Sequence, residues 1–252
     1  MIAGIFHQGS GLGNQLHRYV MTRVLALDKG YDFGMIYKPD GSGKEEGFKG
    51  KSFMKIDIGK PVQGVARQFI EKKVVENGID IRSYDPEINF VEDNTIIDGE
   101  FQDERYFGHR LNEIREWLKV EPLYLRPDLC VIGFRGGEYV AFPDLFLTKD
   151  YWLEAIKLMQ ITNLNMKFEV HTDDPETAQK FFPDFKCIHD IGLNWRSILY
   201  ARQLIIANSS FYILPALLNK NCWNVIAPRY WARRNIKVWA LPQNYYKKFM
   251  YI

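Results

Sequence analysis

Short apolar runs alternate along the whole chain with stretches in which apolar residues recur every three or four positions. The first pattern is typical of buried strands and the second of helices that pack against a sheet. In the first half, the pattern predicts strands near Ile2–Phe6, Asp32–Tyr37, Ile79–Arg82 and Thr95–Asp98, and helices near Asn14–Lys29, Val65–Glu76 and Phe101–Val120. In the second half, it predicts strands near Cys130–Phe134, Met166–Thr172, Leu204–Ala207 and Trp223–Ala227, and helices near Lys149–Met159, Pro175–Phe182, Trp195–Arg202 and Ser209–Leu218. Such alternation predicts an α/β protein with mainly parallel sheets.

Two segments interrupt this pattern. The polar, glycine-rich stretch from Lys38 to Ser52 predicts a long loop. The stretch "EPLYLRPD" carries two prolines after the last helix of the first half, and it predicts a domain boundary. We therefore expect an N-terminal domain over residues 1–124 and a C-terminal domain over residues 125–252.

Charge and cysteine content narrow the class of protein. The net charge of +2 argues against a general nucleic-acid binder, and no apolar run reaches the length of a membrane span. The three cysteines, Cys130, Cys187 and Cys222, show no spacing typical of metal ligands. We expect them to be buried free thiols and the protein to be cytoplasmic, without a bound metal.

A glycine-rich stretch, "GSGLGNQL" from Gly9 to Leu16, connects the first predicted strand to the first predicted helix. It is not a dinucleotide-binding fingerprint, because Asn14 stands where the last glycine would be, and no Gly-Lys follows as in a P-loop. Two interpretations stay open for it. It binds an anion with its backbone N–H groups at the helix N-terminus, or it is an ordinary tight turn.

Polar residues also follow three predicted strands of the second half, where open α/β sheets bind ligands. Arg135 lies among glycines in "GFRGGEY" and is either a phosphate ligand or a surface arginine. Asp173 and Asp174 follow the next strand, and we expect one to cap a helix and the other to accept hydrogen bonds from a ribose or sugar hydroxyl. His7 and His171 also end predicted strands, and each either lines a cleft or has a structural role.

The third of these stretches is "IIANSSFYIL", in which a predicted strand leads directly into a helix. Its hydroxyl groups and the free N–H groups of the helix start suit a phosphate, although they fit a simple helix cap as well. The residues concerned are Asn208, Ser209, Ser210 and Phe211.

Taken in order, six stretches resemble motifs of the bacterial α-1,2-fucosyltransferase family. "SGLGNQLHRY" matches its G-G-L-G-N-Q-L-F-Q-Y, "GEFQDERYF" its G-x-F-Q-S-E-x-Y-F, and "GFRGGEY" its H-x-R-R-G-D-Y. "HTDD" matches F-S-D-D, "IIANSSFYIL" matches I-I-A-N-S-S-F-S-W-W, and "VIAPRYW" matches V-I-A-P-x-x-W. The resemblance spans nearly the whole chain.

The resemblance implies a GT-B fold, with two Rossmann-like domains and a cleft between them. It also implies inverting, metal-independent transfer of fucose from GDP-fucose to a sugar hydroxyl, without a cofactor. Arg135 would bind the β-phosphate and stabilise the leaving GDP. The other donor-binding residues implied are Gly11, Gly13, Asn14, Gln15, Asp173, Asp174, Asn194, Asn208, Ser209, Ser210 and Phe211.

Inverting transfer also needs a base that takes the proton of the acceptor hydroxyl. Glu138, Glu104 and Asp103 are the candidates by position, and the leaving phosphate itself is a further candidate.

The chain departs from the family pattern at several positions. Gly133 replaces the histidine of H-x-R, and Glu138 replaces the aspartate. Asn194 stands where the wider superfamily has an aspartate that pairs with guanine, and an amide cannot accept both guanine protons. A donor with another deoxyhexose or another base is therefore also compatible with the sequence. So are two further classes, a non-catalytic sugar- or nucleotide-binding protein and an unrelated nucleotide-binding enzyme.

Overall fold

The computed structural model describes residues 1–38, 47–76, 79–232 and 246–252. The predicted loop from Lys38 to Ser52 therefore lies partly outside the described residues. The chain separates into two compact units, Met1–Lys119 and Val120–Ile252.

The first unit is built on a parallel sheet of four strands, β1 (Ile2–His7), β2 (Phe33–Lys38), β3 (Arg67–Ile70) and β6 (Thr95–Asp98), in the order β2-β1-β6-β3. Helix α1 (Leu12–Lys29) follows β1 and packs on it. It ends at Gly30, whose φ of 70° lets the chain turn left-handed. The switch in strand order lies between β1 and β6, because the chain leaves β1 for β2 on one side and returns to β6 on the other.

Two predictions for this unit were wrong. The predicted helix Val65–Glu76 is instead the edge strand β3 followed by β4 (Val74–Glu76), which pairs antiparallel with β5 (Ile79–Ile81). The predicted long helix Phe101–Val120 is divided into α2 (Glu104–Phe107), a 3₁₀ turn and α3 (Leu111–Trp117). The 3₁₀ turn at Gly108–Arg110 separates the two helices.

The second unit is built on a six-stranded sheet in the order β12-β11-β10-β7-β8-β9, in which every neighbouring pair is parallel. Its strands are β7 (Leu129–Phe134), β8 (Lys167–Thr172), β9 (Lys186–Ile188), β10 (Gln203–Ile206), β11 (Asn224–Ala227) and β12 (Met250–Tyr251). The chain runs from β7 outward to β9, then returns to β10 on the other side of β7. This is the doubly wound order of Rossmann-type sheets, and its switch point lies between β7 and β10.

The described residues of this unit form the helices α4 (Lys149–Thr162), α5 (Pro175–Phe181), α6 (Ile191–Tyr200) and α7 (Ser210–Leu218). They supply the core with large side chains such as Trp152 and Trp195, which are at most 1% exposed. The strands β9 and β12 were not predicted, since each is only two or three residues long. The predicted fold class, α/β with mainly parallel sheets, is confirmed.

The cysteines only partly follow the prediction. All three are free thiols, but only Cys130 is buried, whereas Cys187 and Cys222 are half-buried. Burial raises the pKa of the Cys130 thiol well above its ordinary value.

Candidate active site

The first candidate site lies at the carboxyl edge of the second sheet, around Arg135. Arg135 directly follows β7, the central strand at the switch point, and its side chain is 25% exposed. Its guanidinium donates to the Asp173 carboxylate and, over 2.8 Å, to Oε1 of Glu138, and it lies 5.0 Å from the centre of the Tyr139 ring. Its Nε is buried and has no hydrogen-bond partner among the described residues. The group is therefore held in place with one donor left unused.

The groups around Arg135 favour its charged form. Burial is the largest single effect and lowers the pKa of Arg135, but Asp173, Tyr139 and Glu138 together outweigh it, and the pKa is raised above its ordinary value. Asp173 and Glu138 both compete with any anionic ligand for this cation. Phosphate binding here therefore requires that Arg135 exchange at least one carboxylate for a phosphate oxygen.

The two aspartates after β8 have different roles. Asp174 caps α5, because its Oδ1 accepts from the N–H of Thr177 over 3.0 Å. Asp173 accepts from the N–H of Gly136 over 2.9 Å, and Asp174 accepts from the N–H of Gly137 over 3.1 Å. Gly137 has a φ of 49°, which favours glycine. The expectation that one aspartate caps the helix is confirmed, and Asp173 orients Arg135.

The start of α7 forms the other side of this edge. Ser209 occupies the cap position, but its hydroxyl makes no capping hydrogen bond, so the first N–H groups of the helix have no side-chain cap. Asn208 is 1% exposed, and its amide donates to the carbonyl oxygens of Leu145 and Trp231. Asn208 therefore fixes two loops, whereas the helix start itself fits an anion. Ser210 opens the helix, and the Phe211 ring packs at 5.8 Å from the Trp195 ring.

Asn194 is enclosed by a polar network. It is 4% exposed, its Oδ1 lies 3.0 Å from Nδ1 of His171, and its Nδ2 donates to the Thr172 carbonyl over 3.0 Å. The other ring nitrogen of His171 lies 3.0 Å from the Glu169 carboxylate. Both ends of the Asn194 amide are therefore used within the fold, and contact with a nucleotide base would break one of these bonds.

Gly133 lies where the resembled motif has a histidine, and its surroundings leave no room for a side chain. A Cβ atom at Gly133 would lie 2.7 Å from Cδ1 of Tyr212, so the tyrosine ring fills the space of a side chain there. Tyr212 is 2% exposed, and its hydroxyl donates to the carbonyls of Phe134 and His171. In the aligned motifs the family has histidine and serine at these two positions. The departures at Gly133 and Tyr212 therefore offset each other in volume.

The glycine-rich loop lies at the carboxyl edge of the first sheet. Gly9 adopts a φ of 77°, and Gly11 precedes the first turn of α1. A Cβ atom at either glycine would meet none of the described residues within 4 Å. Gly13 is buried within the helix. The loop therefore leaves room for a ligand at this edge.

Gln15 and Asn14 make contacts inside the same unit. Gln15 is 2% exposed, and its amide bonds to the backbone of Gly47 and Lys49 over 3.1 and 3.0 Å. Gln15 therefore positions the backbone between Gly47 and Lys49. Asn14 accepts from Nε2 of Gln102 over 3.2 Å, which joins the first and second motifs of the resemblance.

Arg18 and Glu71 bond to the start of the second motif, "GEFQDERYF" from Gly99 to Phe107, and no sequence pattern indicated either role. Arg18 is 6% exposed and donates to the Gly99 carbonyl, the Ser10 hydroxyl and the Glu100 carboxylate. The Glu71 carboxylate accepts from the N–H groups of Glu100 and of Phe101, whose φ is 48°. Burial raises the pKa of Glu71. These contacts anchor the chain just after β6.

Asp103, which was predicted as a candidate base, caps α2. Its carboxylate is 4% exposed and accepts from the backbone N–H groups of Arg105 and Tyr84 and from the Arg105 guanidinium. Those bonds occupy the carboxylate. Glu104 is the half-buried first residue of the same helix.

His7 and Asp98 are brought together at the same edge. They end the neighbouring strands β1 and β6, and Nε2 of His7 lies 2.7 Å from Oδ1 of Asp98. Their side chains are 27% and 23% exposed. The sequence offered one signal for this pair, since both residues end a predicted strand, but it did not show that the strands are neighbours.

Comparison with known proteins gives a fold likeness only. No family model and no curated protein matches the sequence. Matching solved structures include the glycosyl transferase family 9 protein of Veillonella parvula DSM 2008, at 12% identity and a TM-score of 0.49 over 100% of this chain and 86% of that chain. E. coli heptosyltransferase WaaC with ADP matches at 11% identity and a TM-score of 0.46, over 100% of this chain and 92% of that chain. Fucosyltransferase NodZ from Bradyrhizobium matches at 13% identity and a TM-score of 0.44, over 86% of this chain and 93% of that chain.

Two further findings concern the part of the chain that the structure describes. No helix there is long and apolar enough to cross a membrane. No group of three or more His, Cys, Asp and Glu side chains there is placed to hold a metal ion. Metal independence stays a prediction.

Proposed function

We propose that this protein is an inverting, metal-independent glycosyltransferase, and that it transfers fucose from GDP-fucose to a sugar hydroxyl with α-1,2 linkage. The proposal rests on the site residues and on the motif resemblance. One observation carries it: Arg135 stands at the switch point of a doubly wound sheet, beside the uncapped start of α7. We further propose that the protein acts in the cytoplasm without a cofactor and in the GT-B arrangement.

In this reaction, the site must stabilise a leaving diphosphate. As the bond between the sugar's anomeric carbon and the β-phosphate oxygen breaks, negative charge grows on the diphosphate. Arg135 neutralises that charge, and the N–H groups at the start of α7 donate to phosphate oxygens. Asp173 accepts from donor hydroxyls once Arg135 has turned to the phosphate, and Ser209, Ser210 and Phe211 line the nucleotide. Gly11, Gly13 and Asn14 are further donor-binding residues of this proposal.

The nucleotide base is the least constrained part of the proposal. Asn194 is committed to His171 and Thr172, so guanine selectivity would need other donors and acceptors. A donor that carries another base or another deoxyhexose is therefore the second candidate, and the same experiment decides between them.

Calorimetric titration with GDP, UDP, ADP and dTDP, in buffer without divalent metal, tests the donor site. We expect GDP to bind selectively and Arg135→Ala to weaken it by about 10- to 100-fold, the value of a charge-assisted hydrogen bond. Arg126→Ala is the matched control. Arg126 also pairs with an aspartate, Asp128, but it precedes β7 at the opposite end of the strand and is 67% exposed. Equal nucleotide affinity in both variants would contradict the assignment of Arg135.

Turnover separates an enzyme from a binding protein of the same fold. Incubation with GDP-fucose and a panel of mono- and disaccharides should give a product heavier by one deoxyhexose, detected by mass spectrometry, and EDTA should not reduce its amount. Nucleotide binding without any product would favour a non-catalytic binding protein. Preference for a base other than guanine would show that the donor is not GDP-fucose.

A further inference from the structure

The pair formed by His7 and Asp98 has the geometry of a base and the group that orients it. The carboxylate of Asp98 only accepts hydrogen bonds when ionised, so Nε2 of His7 carries the proton of the 2.7 Å bond. In the neutral imidazole the lone pair then lies on Nδ1. No hydrogen bond to Nδ1 is found within the described residues, and the side chain is partly exposed at 27%. Nδ1 is therefore able to accept a proton from a bound molecule.

The position of this pair also points to a ligand. His7 and Asp98 end the two strands on either side of the switch point of the first sheet, the place where open α/β sheets bind ligands. The adjacent loop carries Gly9 and Gly11, where an added Cβ atom would meet none of the described residues within 4 Å. The Ser10 hydroxyl in this loop accepts from Arg18, and the Asn14 amide accepts from Gln102, so both groups are already bonded within the unit.

Two of the three carboxylates that the sequence offers as the base are already engaged in other contacts. Asp103 is a buried helix cap, and Glu138 is paired with Arg135, whose charge the donor phosphate requires. Asp98, in contrast, is part of the first sheet's carboxyl edge and stabilises an imidazolium as it forms.

We propose that His7 is the general base of the transfer and that Asp98 is its positioning residue, an inference that rests on the proposed function. Nδ1 of His7 takes the proton of the acceptor hydroxyl as the hydroxyl oxygen bonds to the anomeric carbon of the donor sugar. The bond from that carbon to the phosphate oxygen breaks with its electron pair, and the nucleoside diphosphate leaves. The imidazolium, stabilised by Asp98, later releases its proton to water.

The test compares two histidine–aspartate pairs of the same unit. His109 lies 2.7 Å from Asp28 through its Nε2, as His7 does from Asp98, but its side chain is 50% exposed and it lies in the 3₁₀ turn before α3. His7→Ala and His109→Ala are assayed for transfer from GDP-fucose to the best saccharide of the panel, and for GDP release with water as the acceptor. Circular dichroism checks that each variant is folded, and His7→Gln serves as a second, less disruptive variant.

We expect both His7 variants to lose about 100-fold or more in kcat, while their KM for GDP-fucose and their affinity for GDP change little. Added imidazole should restore part of the kcat of His7→Ala, because it supplies the missing base in the space left by the side chain. His109→Ala should retain the kcat of the unsubstituted protein.

Asp98→Asn tests the positioning role. The Asn amide can donate to Nε2, so the imidazole proton should move to Nδ1, and nitrogen-15 NMR of the His7 ring should report this change of tautomer. The kcat should fall with it, whereas KM for GDP-fucose should not.

The outcomes separate this inference from the proposed function. Folded His7 variants that bind GDP and keep the kcat of His109→Ala would overturn the role of His7 and leave the proposed function standing. Failure of imidazole to restore any rate to His7→Ala, with the Asp98→Asn tautomer unchanged, would also overturn it. An unsubstituted protein that binds none of the four nucleotides and releases no GDP would overturn the proposed function, and this inference with it.

Discussion

His17 is a buried histidine whose titration should make the protein sensitive to mild acid. It is fully buried in α1, its Nδ1 lies 2.8 Å from the Gly13 carbonyl, and the edge of its ring packs on Phe107 at 5.9 Å. Because the carbonyl accepts, Nδ1 carries the proton, and Nε2 is buried without a partner in the described part of the chain. Burial lowers the pKa of His17 from 6.5 to about 4, since a second proton would place a charge in the core.

The consequence for stability follows from proton binding. In the unfolded chain the imidazole takes up a proton as the pH falls through 6.5, whereas in the folded protein it stays neutral until about pH 4. The unfolded state binds more protons across this window, so the free energy of unfolding falls as the pH falls. The difference of about 2.5 pKa units corresponds to roughly 3 kcal/mol in full, of which about 2 kcal/mol is lost between pH 7 and pH 5.

The substitution His17→Phe removes the titrating group and keeps an aromatic ring against Phe107. We expect this variant to lose about 2 kcal/mol less unfolding free energy than the unsubstituted protein between pH 7 and pH 5. Urea unfolding at both pH values, followed by circular dichroism, measures the difference. His17→Gln is the control, because it keeps a polar side chain but does not titrate. Unchanged pH dependence in both variants would refute the reasoning, since no other property is common to the two substitutions.

Three further predictions address the candidate site. Glu138→Gln should raise the affinity for GDP about two- to fivefold at low salt, because Arg135 then has one carboxylate fewer to exchange for phosphate, and calorimetry at two salt concentrations checks this. Asp103→Ala should lower the unfolding free energy by about 1–2 kcal/mol through loss of the α2 cap. The folded variant should keep its kcat, and a large fall in kcat would instead indicate that Asp103 is a base. Gly133→Ala should lower the free energy of unfolding by about 1–3 kcal/mol because its Cβ meets the Tyr212 ring. The double substitution Gly133→His with Tyr212→Ser should lower it by less than the sum of the two single substitutions, as measured by urea unfolding.

The chain's local patterns were sufficient where an element is largely buried. The spacing of Leu16, Tyr19, Val20, Val24 and Leu27 predicted α1, and all of these side chains are fully buried except Leu27, which is 48% exposed. The apolar run before Arg135 predicted β7 in the same way. The pattern failed over Val65–Glu76, because the edge strand β3 is largely exposed and is defined by its pairing with β6 rather than by its own residues.

The candidate donor residues were predictable in part. Arg135 and Asp173 follow strands directly and Ser209 lies three residues after β10, and parallel strands bring such residues to one edge. Their partners were not predictable, since Arg135 meets Asp173 from 38 positions away.

By itself, the sequence determined the α/β class, the main strands and helices, and the strand ends at which polar side chains gather, because burial periodicity and turn residues are local properties. Only the tertiary structure decided which strand ends are neighbours, and therefore that His7 bonds to Asp98 across 91 positions. It also decided that Asp103 and Gln15 serve the fold, since a hydrogen-bond partner is set by distance in space and not by spacing along the chain.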